Sequence, residues 1–282
     1  MEAILLPTDF SPTAQNAAMY ALKLAEQLGV KKLVLYHSYE IPISIDPLTP
    51  GVQMLDLETT KESSAQALEN FEMKIRAFAN NIAIERINEY GALAEGLDDV
   101  CAKVNAGLVV MGITGGGALE EKLIGSNTVS VAKHTTVPVI IVPAKAQFTR
   151  IESIMLTSDF DKADKTIPVG VVRKIVEETK AQLHVLHMEE TDDEYGVTYP
   201  SNVMGESYAL YSLLEDLKPE YHFSKNKSFV EACNEVVIAK GIDLVINVSK
   251  KHGFFERLFK ESHTKILAFH SDVPLMVING RE

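Results

Sequence analysis

The sequence predicts an α/β protein made of two tandem, doubly wound, five-stranded parallel-sheet domains. Three observations carry this expectation. Short apolar runs alternate with segments of helical periodicity. The first forty residues recur, without a gap, 150 positions later. The chain also has 282 residues, about twice the usual domain size.

In chain order, residues 2–7 and 32–37 are runs rich in Leu, Ile and Val and read as strands. Between them, 13–29 place Ala17, Tyr20, Ala21, Leu24 and Ala25 on one helical face. Ser11-Pro12 supplies an N-cap and a proline at the first helical position, and Gly29 supplies the stop. Residues 53–80 read as helix, 82–88 alternate as a strand, 95–105 are again helical, and 107–111 is an all-apolar strand. A helix from Gly125 to His134 and a strand at 138–142 complete the unit. Strands separated by helices imply right-handed crossovers and a parallel sheet covered on both faces. Ligands of such sheets sit beyond the carboxyl ends of the strands, at the switch point of strand order.

The repeat is explicit in the residues. Thr8-Asp9-Phe10 falls on Ser158-Asp159-Phe160, and Leu35-Tyr36-His37 falls on Val185-Leu186-His187, both at an offset of 150. Later, "NAGLVVM" ending at Met111 falls on "GIDLVIN" ending at Asn247, and "VPVIIV" from Val137 falls on "VPLMVI" from Val273. These later matches have an offset of 136, so the second copy is shorter in its middle. The expected domains are 1–146 and 147–282, joined near "PAKAQFTRIE".

Composition narrows the function. Lys and Arg number 27 against 39 Asp and Glu, a net charge of −12. Such a chain does not attract nucleic acid or anionic membrane over its whole surface, so any bound anion needs local donors. No stretch approaches the ~18 apolar residues of a membrane span. The start "MEAILLPTDF" lacks a basic region ahead of a long apolar run, so no signal peptide is expected. The two cysteines, Cys101 and Cys233, stand in unrelated contexts without a CxxC and read as buried thiols. A cytoplasmic location is expected.

The stretch "MGITGGGALEEKLIGSNTVS" from Met111 holds four glycines in six residues, then opens a helix at Gly125-Ser126. Glycines let backbone N–H groups converge and let a ligand approach with no Cβ in the way. The following helix N-terminus adds unpaired donors and a positive dipole end. Together these could hold a di- or triphosphate without a basic patch. A surface loop with no ligand is the other reading the residues allow. No Walker-type Gly-x-x-x-x-Gly-Lys-Ser/Thr is present.

The whole pattern is more specific. Gly112, two residues, Gly115, nine residues and Gly125-Ser126, directly after an apolar strand, resembles the nucleotide-binding motif of the universal stress protein family. "ILLPTDFS", "VLYHSYE" and "TVPVIIVP" extend the resemblance, which reaches into both copies and implies an adenine nucleotide alpha hydrolase-like fold. It further implies ATP as ligand, accompanied by Mg²⁺ on its phosphates. Pro7, Thr8 and Asp9 would contact the adenosine portion, and the Ser38 backbone the adenine edge. Met111 and Gly112 would line the ribose, while Gly115, Gly125 and Ser126 would hold the phosphates with Asn127 in the same turn. Gly116 and Gly117 are extra to the motif and could widen the loop. Lys122 reads better as a solvated lysine than as a phosphate partner.

In the second copy Gly112 becomes Val248, Gly115 becomes Lys251 and Gly125 becomes Glu261, with only Ser126 keeping its type as Ser262. A carboxylate where phosphate should sit is unfavourable, so this copy is expected not to bind ATP by that route. Asp159 reads as a helix cap. "SKKHGFFERLF" from Ser249 reads as a helix packed on the other copy. His37 and His187, at equivalent positions, read as core or rim histidines with local hydrogen bonds. No metal site is expected.

The expected function is therefore an ATP-binding, stress-linked regulator without evident catalytic residues, hydrolysing ATP slowly at most. The second copy would support a pseudo-dimer. The apolar strands 138–142 and 274–278 would pair either within the chain or across a homodimer. The alternative is a nucleotide-independent protein-interaction scaffold of the same fold. An adenylate-forming ligase is set aside, because "PTDFSPT" has neither a Ser-Gly-Gly loop nor a His-x-Gly-His motif.

Overall fold

The computed structural model describes residues 1–40, 57–114, 124–158, 167–189, 210, 212–225, 229–249 and 273–280. The amino-terminal half comprises β1 (Ala3–Pro7), α1 (Pro12–Leu28), β2 (Lys32–Tyr39), α2 (Leu57–Arg76), β3 (Ala83–Tyr90), α3 (Leu93–Val104), β4 (Ala106–Gly112), α4 (Ser126–His134) and β5 (Val139–Val142). The carboxy-terminal half comprises β6 (Ser153–Ser158), α5 (Val169–Thr179), β7 (Gln182–Glu189), β8 (Glu220–Lys225), α6 (Phe229–Lys240), β9 (Leu244–Ser249) and β10 (Leu275–Asn279).

The local signals act as their chemistry dictates. Ser11 accepts the Ala14 N–H at 3.2 Å as the N-cap of α1, and Pro12 opens the helix. Gly29 takes a left-handed φ of 70° at its end, a conformation that costs a side-chain-bearing residue about 1–2 kcal/mol. One expectation needs correction at its end. The predicted helix over 53–80 stops at Arg76, because the chain turns through Phe78 and Ala79 and Asn80 adopts a positive φ of 30°. Residues 53–56 of that segment lie outside the described residues.

The strands form one ten-stranded sheet in the order β3-β2-β1-β4-β5-β10-β9-β6-β7-β8. Each half has the same internal order, so its strand order reverses between β1 and β4, or between β6 and β9. The registers reproduce the repeat. Ile4 opposite Leu33 recurs as Ile154 opposite Leu183, and Ile4 opposite Leu108 recurs as Ile154 opposite Leu244. The halves meet where β5 and β10 pair antiparallel, with Ile140 opposite Met276. The pairing of the last strands is therefore within the chain, and it covers an apolar edge that would otherwise invite association.

Both faces of the sheet are buried. Ile4 and Leu6 point to the layer holding α1, α2 and α5, while Ala3 and Leu5 point to the layer holding α3, α4 and α6. Full burial of each Leu or Ile contributes about 1.5–3 kcal/mol. The helix face of Ala17, Tyr20, Ala21, Leu24 and Ala25 is buried as its periodicity requires. Polar ties reinforce the junction. The Gln27 amide donates to the Ile151 carbonyl and accepts the Ile151 N–H, both at 2.9 Å. The Asn279 amide donates to the Ala132 and Thr135 carbonyls at 3.2 and 2.6 Å, so the last strand of the second half caps the end of α4.

Candidate functional site

The switch point of the first half lies between β1 and β4, which are neighbours in the sheet with Leu5 opposite Val109. Pro7, Thr8 and Asp9 therefore leave the sheet beside Met111 and Gly112. Ser38 lies on β2, one strand further out.

The turn after β1 is held by its own side chains. Thr8 donates its N–H to the Tyr36 carbonyl at 2.9 Å. Phe10 donates its N–H to Thr8 Oγ1 at 3.0 Å, and Ser11 donates its N–H to Asp9 Oδ1 at 3.2 Å. These bonds hold Phe10 at a φ of 67°, a left-handed conformation that strains a bulky residue. Its ring packs at 4.4 Å from His37 and 5.9 Å from Phe71, which offsets the strain. Asp9 itself is exposed.

His37 donates from Nδ1 to the Thr8 carbonyl at 2.7 Å. A carbonyl only accepts, so the hydrogen sits on Nδ1. Burial pushes the imidazole below its ordinary pKa, against the pull of the Thr8 carbonyl and the nearby Asp9 carboxylate. His37 is thus a neutral strut under the turn, as the expectation of a locally bonded histidine holds. Its counterpart His187 is buried and meets Phe223 edge-on, with ring centres 5.9 Å apart.

A chain of hydroxyls ties the three parts of the site together. Ser11 and Thr13 hydroxyls lie 2.9 Å apart, and the Thr13 hydroxyl donates to the Thr114 carbonyl after β4. The Thr128 hydroxyl donates to the Gly112 carbonyl at 3.0 Å, and the Gly125 N–H donates to the Ile113 carbonyl at 2.8 Å. The starts of α1 and α4 are thereby clamped to the end of β4. Thr13, Thr114 and Thr128 were not among the expected site residues. Nothing in their spacing marks them: the Thr13–Thr114 contact spans 101 residues and the Thr128–Gly112 contact 16.

Gly112 has a packing role of its own. A Cβ there would stand 3.0 Å from both the carbonyl carbon and oxygen of Thr13. Main chain of α1 therefore occupies the space that a side chain would need.

The two helix starts differ in what they offer. Ser11 caps α1, whereas Gly125 caps α4 with no side-chain hydrogen bond and no acidic residue in the first turn. Ser126 and Asn127 are exposed beside it. An uncapped helix start of this kind favours an anion by about 0.3–1 kcal/mol at an exposed site. The Ser38 hydroxyl is engaged by the Gly91 carbonyl. Gly115, Gly116, Gly117 and Lys122 lie outside the described residues.

In the second half, Val248 replaces Gly112 at the end of β9 and is buried. Between β9 and β6 the Asn247 amide donates to Thr157 Oγ1 at 3.1 Å, and the Thr157 hydroxyl donates to the Ile246 carbonyl at 3.2 Å. These bonds tie β9 to β6 beside that switch point. Asp159, Lys251, Glu261, Ser262 and the expected helix of "SKKHGFFERLF" beyond Ser249 lie outside the described residues.

Comparison with known proteins agrees with this architecture. The universal stress protein family model matches residues 1–143. A universal stress protein of Methanocaldococcus jannaschii is 28% identical over 139 residues, spanning 49% of this chain and 80% of that protein. The crystal structure of a universal stress protein from Archaeoglobus fulgidus covers 98% of both chains with a TM-score of 0.68 at 20% identity, so the likeness of fold extends over both halves. Among the described residues no helix is long and apolar enough to cross a membrane. A parallel sheet with its switch point at Asp9 and Gly112, and a family model over that same half, lead to one conclusion: this chain belongs to the universal stress protein family.

Proposed function

We propose that the chain is an ATP-binding stress-response regulator whose nucleotide sits in the amino-terminal half, between the carboxyl ends of β1 and β4. The observation that carries this reading is the start of α4. Among the described residues no side chain caps it, its first turn holds no acidic residue, and it is fastened to the end of β4 through Gly125 and Thr128. Its first-turn N–H groups, with Ser126 and Asn127, suit a polyphosphate. Asp9, exposed beside Thr8 at the neighbouring strand end, suits the ribose hydroxyls of the adenosine portion. Mg²⁺ would arrive with the phosphates, since oxygen ligands of that kind are its preferred partners. The division into domains at 146/147, and the support of the first domain by the second, belong to the same reading.

One observation favours the alternative of a nucleotide-independent scaffold: packing against Thr13 is reason enough for Gly112 to lack a side chain. Isothermal titration with ATP separates the two. Wild type should bind saturably below millimolar ATP, and Gly125→Glu should weaken binding at least tenfold by placing a carboxylate at the helix start. Gly125 has a φ of −61°, which any residue adopts, so the variant keeps the backbone. Absence of saturable binding by wild type would decide for the scaffold.

A further inference from the structure

The second half carries a cluster that the nucleotide reading does not use. His184 on β7 and Glu220 and His222 on the edge strand β8 bring one ligand atom each to within 4.8 Å of one another. His184 Nδ1 lies 3.0 Å from His222 Nε2 and 3.6 Å from Glu220 Oε2. Zinc bonds of about 2.0–2.1 Å in tetrahedral geometry set ligand atoms roughly 3.3 Å apart; both distances from His184 are near that spacing, and the third pair, His222 Nε2 to Glu220 Oε1 at 4.0 Å, closes with a small rotation of the exposed glutamate. We propose that His184, His222 and Glu220 form a divalent transition-metal site of the zinc class, with a fourth position left to water.

Three further features point the same way. The first is the repeat itself. Val34 faces Glu85 in the β2–β3 register just as His184 faces Glu220 in β7–β8, and two residues on, Ile87 corresponds to His222. The first half fills these two places with buried apolar side chains. The second half has imidazoles there, although Val and Ile suit this sheet position, and keeps the glutamate. The second is the setting of the carboxylate. Lys240, the last residue of α6, holds Glu220 Oε1 in an ion pair and leaves Oε2 on the side of His184. Such outer partners commonly orient metal ligands. The third is access: the side chain of Glu220 is 47% exposed and that of His184 only 4%. The site therefore has a dry floor and one open side on the sheet edge. It stands at the amino-terminal end of its strands, away from the strand ends that carry the nucleotide cleft.

The sequence did not predict this site, because His184 lies 36 and 38 residues before Glu220 and His222, on a strand whose pairing only the fold defines. The histidines nearest in sequence, His184 with His187, are not the pair that meets.

The test uses the full chain, freed of metal by chelation and then titrated with Zn²⁺ alone in competition with a chromophoric chelator. Co²⁺ substitution gives an independent optical readout of nitrogen ligation. The variant His184→Val with His222→Ile installs the first half's own residues at the same register, so it should fold, with a metal-free Tm at or above that of wild type. Wild type should take up one Zn²⁺ per chain at this site. The double variant should lose more than ~100-fold in affinity, beyond the 10–100-fold that follows loss of an outer partner, and should lose the Co²⁺ absorption bands. His134→Gln, at the end of α4 in the other half, should leave both unchanged. If the double variant binds Zn²⁺ as tightly as wild type, or Co²⁺ in wild type shows no nitrogen ligation, the two imidazoles are only a hydrogen-bonded pair and the proposal fails.

Discussion

Replacing Gly112 by alanine tests whether packing of α1 on the end of β4 determines that residue. The added Cβ would meet the Thr13 carbonyl carbon and oxygen at 3.0 Å and the Thr13 Cβ at 3.3 Å. These are main-chain or first-carbon atoms, which cannot swing aside as the tip of a long side chain would. Relief requires a shift of the α1 start, which is fixed by the Ser11 cap and by the Thr13–Thr114 hydrogen bond. Overpacking of this kind costs about 1–3 kcal/mol. Loss of glycine's freedom in the unfolded chain returns about 0.4–1 kcal/mol. The net destabilisation is therefore about 1–2 kcal/mol, or a fall in Tm of roughly 2–8 °C. Gly170 in α5 is the control, because a Cβ there meets nothing within 4 Å. Gly170→Ala should instead stabilise by about 0.5–1 kcal/mol, through helix propensity. Urea unfolding followed by circular dichroism reads both. Equal stability of Gly112→Ala and wild type would refute the close-approach argument.

Three other outcomes follow from the geometry. Asn279→Ala should cost about 1–3 kcal/mol, because the Ala132 and Thr135 carbonyls lose their donor; hydrogen exchange should show faster opening of α4, the helix of the proposed phosphate site. Cys101, whose thiol burial pushes up to about 12, and Cys233, raised well above its ordinary value by burial, should not react with an aromatic disulfide at pH 8 until the chain is unfolded. His37 should titrate below 6.5 by NMR. Its unfolded form binds the proton more readily, so its contribution is full above pH 6.5 and is lost as pH falls from there through the folded value. His37→Gln should therefore flatten the acid limb of the stability curve, and an unchanged limb would count against the buried-strut role.

Much of the candidate site was legible in the residues. Pro7 to Asp9 and Met111-Gly112 could be placed at strand ends, because apolar runs stop there and helix signals begin. Gly125 could be read as a helix start for the same reason. What escaped was the stitching. Phe10 carries no turn signal and is held at positive φ by contacts with His37 and Phe71. The threonine clamp joins α1, β4 and α4 through bonds that no local pattern encodes. The second helix ran short because Asn80 tolerates a conformation that its apolar periodicity does not forbid.

By itself, the sequence determined the alternation of strands and helices, the α1 caps, and the two repeat offsets that the strand registers reproduce. These depend on side-chain period, backbone freedom and solubility within a single segment, all of which the segment carries with it. Only the tertiary structure decided that β5 pairs antiparallel with β10 inside one chain, that Thr13 main chain fills the space beside Gly112, and that His184 stands against His222 and Glu220. Each of these is a meeting of distant segments. Which meeting occurs is set by register and by the burial gained over the whole sheet, and neither quantity belongs to any one stretch of residues.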